Sequence, residues 1–316
     1  KLFPITLNIS ALPNKQNLLT KNQVIIDDLK NLDLGDIIKR KIFDIKNNSI
    51  KNFKDKCILV TGGAGSIGSE ISLQVLRANP KKLLIIDNSE YSLFKIKQKI
   101  GPRKNVQYIL LDINNQNQIE KIIKDNRINY IFHAAAYKHV NFLEENLISA
   151  VRNNILATLT LLRSIENTNI NLTIISTDKA VEPKTVLGMT KRASEMISLA
   201  ISSKKSYESC KISVVRFGNV FGSAGSAVEI FKNQIRHNLP ITLTDIKMKR
   251  FFMSIREACN LVLQASQLNN SGSIFILKMG KPIMIIDMIN KIFNMMSSQN
   301  QKLKIKIIGK FKSEKI

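Results

Sequence analysis

A chain of 316 residues with 44% hydrophobic content can bury a large core, as one α/β domain or two lobes, and we expect neither a bilayer-spanning run nor a signal peptide in it. Its three scattered cysteines, Cys57, Cys210 and Cys259, exclude a disulfide framework and a cysteine-based zinc site, and suit a reducing compartment. The net charge of +24 is carried by dispersed lysines without tryptophan or a recognition module, which suits anionic ligands or an acidic membrane surface and argues against nucleic acid as a partner.

Residues 1–50 are polar, rich in Asn and Lys, with one apolar-periodic stretch over 24–43. We expect an arm with a short helix and an edge strand, continuing from an upstream region because the chain opens on Lys. From Lys54 the pattern alternates between strand and helix, the signature of a doubly wound parallel sheet. Strands are expected at 56–61, 82–87, 105–110, 129–133, 171–176 and 211–216. Helices are expected at 66–79, 89–100, 115–125, 142–167 and 187–204. Beyond Gly218 the rhythm changes: a helix at 226–237, a strand at 241–244, a helix at 255–268, a strand at 273–277, a helix at 284–296 and a strand at 302–308. In that last strand Lys302, Lys304 and Lys306 alternate with Leu303, Ile305 and Ile307, so the lysines form a solvated face. The division is therefore 51–217 for the sheet domain and 218–316 for a smaller lobe, with some segments returning to the main sheet.

The turn after the first strand carries glycines at 62, 65 and 68. One permits a sharp turn, one lets backbone N–H groups approach a pyrophosphate, and one lets the helix pack on its strand. The helix start then points free donors and partial positive charge at the phosphates. Asp87 ends the second strand nineteen residues after Gly68. An acid there suits the ribose hydroxyls of NAD and repels the extra phosphate of NADP. Gly62, Ala64, Gly65, Ser66, Ile67 and Gly68, with Asp87 and Asn88, are thus assigned to a dinucleotide. Asp112 and Ile113, at the end of the third strand, occupy the adenine position, although Asp112 serves equally well as a turn residue. Ala134, Ala135 and Ala136 allow close backbone approach, and Lys138 and His139 project into the same mouth. His133 is read as a satisfied core histidine, and no metal site is proposed because the three histidines lack ligand spacing.

Ser176, Thr177, Asp178 and Lys179 lie at the carboxyl end of a buried strand, where open α/β sheets bind ligands. An adjacent acid and ammonium in such a cleft can act as general acid and general base. Lys191, on the following helix, would lie beside the cofactor ribose, and its charge would favour the neutral form of Lys179.

These motifs resemble the extended short-chain dehydrogenase/reductases, and more narrowly the membrane-associated nucleotide-sugar 4,6-dehydratases of polysaccharide biosynthesis. The likeness covers residues 30–316. It rests on Val-Thr-Gly-Gly-Ala-Gly-Ser-Ile-Gly-Ser-Glu (60–70), His-Ala-Ala-Ala-Tyr-Lys-His-Val (133–140), Ser-Thr-Asp-Lys-Ala-Val (176–181), Gly-Met-Thr-Lys-Arg (188–192), Arg-Phe-Gly-Asn-Val-Phe-Gly-Ser (216–223), Arg-Phe-Phe-Met-Ser-Ile-Arg-Glu-Ala (250–258) and Met-Gly-Lys-Pro (279–282). The resemblance implies a Rossmann fold with a small C-terminal substrate-binding lobe, tightly held NAD, and UDP-N-acetylglucosamine as substrate. It also implies membrane attachment upstream, at the cytoplasmic face of the inner membrane, and leaves a homo-oligomer open.

By the same resemblance, NAD takes hydride from the sugar C4 and returns it to C6. Lys179 removes the C5 proton while Asp178 protonates the departing 6-hydroxyl, with Thr177 and Lys191 completing the catalytic set. Asn219 would bind the diphosphate, Arg250 would pair with it, Lys138 and His139 would contact the sugar, and Asn154 would support the cofactor site. Two departures stand out. Leu187 occupies the place of the usual tyrosine four residues before Lys191, so Thr177, Asp178 or a water must assist at the 4-hydroxyl. The segment 309–315 has Phe311 and Ser313 where relatives carry Arg and Gly. The alternatives are a C4 or C5 epimerase on the same fold and a non-catalytic dinucleotide-binding regulator.

Overall fold

The computed structural model describes residues 47–268, 270–297 and 301–309. The expected arm therefore lies outside the described residues up to position 46, as does the segment after Gly309. A 3-10 turn, Asn47–Phe53, leads into the sheet domain.

Six strands fall where the apolar runs predict them: β1 (Cys57–Thr61), β2 (Lys82–Asp87), β3 (Val106–Leu110), β4 (Tyr130–His133), β5 (Asn171–Thr177) and β6 (Lys211–Phe217). Between them run α1 (Ser66–Leu76), α2 (Glu90–Ile100), α3 (Gln116–Asn126), α4 (Val140–Glu145), α5 (Leu147–Ala150), α6 (Ala157–Ser164) and α7 (Val186–Ser202). The remaining elements are β7 (Asn219–Phe221), α8 (Ala227–Arg236), β8 (Ile241–Leu243), β9 (Lys249–Arg250), β10 (Phe252–Ser254), α9 (Ile255–Ala265), β11 (Ser273–Ile276), β12 (Ile283–Met284), α10 (Ile285–Met296) and β13 (Ile305–Ile307).

The main sheet is wholly parallel, in the order β11-β6-β5-β4-β1-β2-β3. Its central strands are buried on both faces, so their sequences read as continuous apolar runs. The pleat still divides them. Ile58 and Val60 face a core built with Ile71 and Val75 of α1, Leu93 and Ile96 of α2, and Val262 and Leu263 of α9. Leu59 points the other way, into a core with Ile119 and Ile123 of α3 and Leu161 and Leu162 of α6. Each of these buried aliphatic side chains contributes up to about 1.5–3 kcal/mol relative to exposure. A third core, with Phe231 and Ile235 of α8, Ile241 and Leu243 of β8, and Met288, Ile289 and Ile292 of α10, forms the second lobe.

Three findings differ from the sequence reading. The single helix expected at 142–167 is broken at Asn146 and wound as a π turn over Val151–Leu156. Two short pairings, β10 with β7 and β12 with β9, were not expected, because two or three residues carry no periodicity. β13 pairs in parallel with β8, but Ile305 and Ile307 are exposed along with the lysines. The lysines are solvated as expected, but of the alternating apolar residues Leu303 alone packs on the core of the second lobe.

Candidate active site

The carboxyl ends of the parallel strands open into two contiguous cavities that share Gly62, Gly65, Ala134, Ala136 and Tyr137. The smaller, of about 190 Å³, is lined by Asp87, Asn88, Asp112, Ile113 and Ala135. The larger, of about 1340 Å³, runs between the sheet and the second lobe.

The glycine turn is built by close approach. Gly62 has φ +59°, and a Cβ there would lie 2.5 Å from the Ala135 backbone. A Cβ on Gly68 would strike the Gly62 carbonyl oxygen. Gly65 differs: its φ is −71°, and a Cβ there would meet only Gly62 O, at 3.3 Å. The space beside it belongs to the cavity, and α1 begins there without a side-chain cap. Its first N–H groups therefore suit a phosphate. Asp87 is held in place by Ala64 N–H at 3.1 Å and Ser89 N–H at 3.0 Å. Asp112 accepts from Asn114 at 2.9 Å and pairs with Arg152 at 3.4 Å, so it shapes a turn as well as lining the smaller cavity.

Ser66 and Ile67 line the larger cavity. Ser66 Oγ also accepts from Ala224 N–H at 3.0 Å, which joins the glycine turn to the second lobe. Lys138 reaches the same loop, donating to Ala224 O at 2.5 Å, and burial lowers its pKa against an opposing pull from Glu229. His139 packs against Gly225, and its pKa is lowered by burial and by Lys138.

At the end of β5, Thr177 Oγ1 donates to Asp178 Oδ1 at 3.0 Å. Lys179 Nζ donates to the same oxygen at 3.3 Å and to Asn219 Oδ1 at 3.2 Å. Asn219 is thus placed beside the acid–ammonium pair. Gly188 lets α7 start against this turn, since a Cβ there would hit Lys179 O. One turn on, Lys191 is 5% exposed, lines the larger cavity, and has no hydrogen-bond partner among the described residues. Burial lowers its pKa to about 8, with Glu195 opposing. Leu187 packs with Leu143 and Ala150 and also lines the larger cavity. Arg250 also lines the cavity, and its Nη1 donates to Lys249 O at 2.8 Å.

Asn154, expected among the cofactor contacts, lines neither cavity. It lies buried in the π turn, accepting from Tyr137 N–H at 2.8 Å and donating to Tyr137 O and Thr190 Oγ1, both at 3.1 Å. Its side chain is fully used in holding the loop behind Ala136, so it acts through that loop. His133 is buried between Thr61 Oγ1 at 2.7 Å and Thr158 Oγ1 at 3.0 Å. The Thr158 hydroxyl donates to Asn154 O at 2.8 Å, so His133 must donate from Nε2 and accept at Nδ1.

The sequence reading missed a buried cluster behind the site: Ser176, Glu195 and Arg216. Glu195 has no exposure, accepts from Ser176 Oγ at 2.6 Å, and is clamped by both Arg216 Nε and Nη2. Burial alone would raise its pKa, but the hydrogen bonds from Arg216 and Ser176 overcome that and lower it. A charged residue on the buried face of α7 and an arginine inside an apolar strand were the available signals. Among the described residues no group of His, Cys, Asp and Glu could hold a metal. No helix among them is long and apolar enough to cross a membrane.

A Rossmann-type parallel sheet, a glycine turn at β1–α1 and a second lobe over the strand ends define the extended short-chain dehydrogenase/reductase architecture. Residues 58–316 match the family model described as polysaccharide biosynthesis protein, and the chain belongs to that family. It is 36% identical to the capsular polysaccharide biosynthesis protein CapD of Staphylococcus aureus, across 98% of this chain but 52% of CapD. The chain thus spans about half the length of that relative. It is 32% identical to a UDP-glucose 4-epimerase of Rickettsia bellii, covering 83% of this chain and 76% of that one. Among solved structures, Pen from Bacillus thuringiensis is 34% identical with a TM-score of 0.77, covering 83% of this chain and 80% of Pen. Bordetella bronchiseptica WbmF, solved with NAD+ and UDP, shares the fold at 17% identity and a TM-score of 0.69, over 81% of this chain and 82% of WbmF.

Proposed function

We propose that this chain is the catalytic domain of an NAD-dependent nucleotide-sugar 4,6-dehydratase. It converts a UDP-N-acetylglucosamine-type substrate to a UDP-4-keto-6-deoxy sugar for surface polysaccharide synthesis. The observation that carries the reading is Asp178 and Lys179, joined at 3.3 Å and to Asn219 at 3.2 Å, facing the cavity that begins at the glycine turn. Elimination needs an acid and a base on neighbouring carbons, and an adjacent carboxyl and amine supply both.

When bound, NAD would supply the hydride acceptor for C4 and the hydride donor for C6. The open space beside Gly65 and the uncapped start of α1 suit its pyrophosphate, and Asp87 suits a ribose. The Lys191 side chain, without a hydrogen-bond partner among the described residues, suits the second ribose. Lys179 removes the C5 proton made acidic by the adjacent ketone, and Asp178 protonates the leaving 6-hydroxyl. Leu187 has no exchangeable proton, so Thr177, Asp178 or a water relays the proton of the 4-hydroxyl. Asn219 and Arg250 take the diphosphate, and Lys138 and His139 the sugar side. Attachment to a membrane through a region upstream belongs to the same proposal.

The 32% identity to a UDP-glucose 4-epimerase favours a second reading, re-reduction at C4 without loss of water. Incubation with UDP-N-acetylglucosamine in deuterated water, followed by NMR, separates the two. Dehydration gives a 4-keto product with deuterium at C5 and no 6-hydroxyl; a retained 6-hydroxyl rejects it.

A further inference from the structure

Behind the reacting groups lies a charge that the proposed chemistry leaves idle. The Glu195 carboxylate, with no solvent exposure, is shared by three elements. Oε1 accepts from Ser176 Oγ on β5 at 2.6 Å and from Arg216 Nε on β6 at 2.7 Å. Oε2 accepts from Arg216 Nη2 and, at 3.3 Å, from Arg192 Nη1 on its own helix. Ser176 and Arg216 are register partners across the β5–β6 pairing, so one carboxylate spans the pair.

Each anchored residue stands next to one part of the site. Ser176 immediately precedes Thr177–Asp178–Lys179. Arg216 lies three residues before Asn219, which accepts from Lys179 Nζ. Glu195 itself lies one turn from Lys191 on α7. Stability is a poor reason for the cluster, because a buried ion pair is often replaced by apolar residues at no loss. Charge-assisted, bidentate hydrogen bonds do fix direction and distance.

We propose that Glu195 is a positioning residue: it locks the carboxyl ends of β5 and β6 against α7, so that Asp178, Lys179, Asn219 and Lys191 keep one mutual geometry. It touches neither sugar nor dinucleotide. It also places the nearest negative charge by Lys191. The other titratable group there is His133 on β4, which is neutral because burial lowers its pKa to about 3. Arg192 and Arg216 both donate to the same carboxylate.

The activity arm of the test rests on the dehydratase reading; a labelling arm does not. In Glu195→Gln, kcat should fall at least tenfold, with KM for the UDP-sugar and bound NAD within about threefold of wild type. Competitive acetylation of Lys191, followed by peptide mass across pH, should titrate about one unit lower than in wild type. Turnover within twofold of wild type overturns the proposal, as does loss of kcat and NAD together with an unchanged labelling profile. Should Glu195→Gln fail to fold, Ser176→Ala removes one tether and no charge. It should lower kcat severalfold with the Lys191 titration unchanged, and unaltered turnover overturns the proposal. A wild type that makes no 4-keto product rejects the dehydratase reading, and a Lys191 titration that still shifts in Glu195→Gln then supports Glu195 as the charge placed by Lys191.

Discussion

Gly65 and Gly68 stand three residues apart in one turn, yet a side chain at each should fail for a different reason. At Gly65 the backbone is ordinary and the nearest protein atom to a new Cβ is 3.3 Å away, so Gly65→Val should fold. Its side chain would instead fill the space needed by a pyrophosphate. NAD titration by fluorescence should weaken at least tenfold, while the urea midpoint stays near wild type. Gly68→Val should do the reverse, because its Cβ runs into the Gly62 carbonyl and comes within 2.7 Å of Gly63 Cα. Overpacking of that kind costs about 1–3 kcal/mol, read as a lower urea midpoint. Asp178→Asn tests the chemistry. An amide cannot protonate the leaving hydroxyl, so turnover should fall by about 10²–10⁴ with NAD still bound. Near-normal turnover would remove Asp178 from the proposed mechanism.

Between the strand ends and the helices, the polar layer under the site has its own pH dependence. His133 joins β1 to α6 through Thr61 and Thr158, and is held neutral with a pKa of about 3, against an ordinary 6.5, by burial and by Lys191. Between pH 6.5 and 3 the unfolded chain binds a proton that the folded chain refuses, so stability falls as pH falls through that window. The contribution is on the order of 4 kcal/mol. Urea unfolding at pH 7 and pH 4 should give a smaller pH loss in His133→Asn than in wild type, even if the variant starts less stable. An equal loss in both would show that other groups set the acid limit. The strands of the main sheet were legible because burial on both faces writes them as apolar runs. The π turn was not. It widens a helix to let the Asn154 carbonyl take hydroxyls from Thr158 and Ser194, and helical periodicity is blind to that.

Across the whole molecule, the glycine turn, the Thr177–Lys179 run and Lys191 could be read from sequence because each is local, and the fold brings them to one cavity. The Glu195–Arg216 clamp depends on the register of β5 with β6, which no local pattern states. Charge shows the same contrast. The lysines look evenly dispersed along the chain, but among the described residues the larger cavity is lined by Lys138, Lys179, Lys184, Lys191, Lys249 and Arg250 against one acid, Asp178. A concave, cationic wall concentrates field toward an anionic ligand more than scattered surface charge does. A UDP-sugar should therefore be steered into it, and salt should weaken the steering as the screening length shrinks from about 30 Å at 0.01 M to about 8 Å at 0.15 M. Raising the salt over that range should lower kcat/KM severalfold and leave kcat unchanged. The triple variant Lys54→Glu, Lys56→Glu, Lys81→Glu, at the amino ends of β1 and β2 and away from both cavities, removes more formal charge than any single substitution in the wall. If the cavity lining sets the field, that variant keeps the wild-type salt slope while Lys249→Glu flattens it. Equal flattening in both would assign the steering to the net charge of +24 instead.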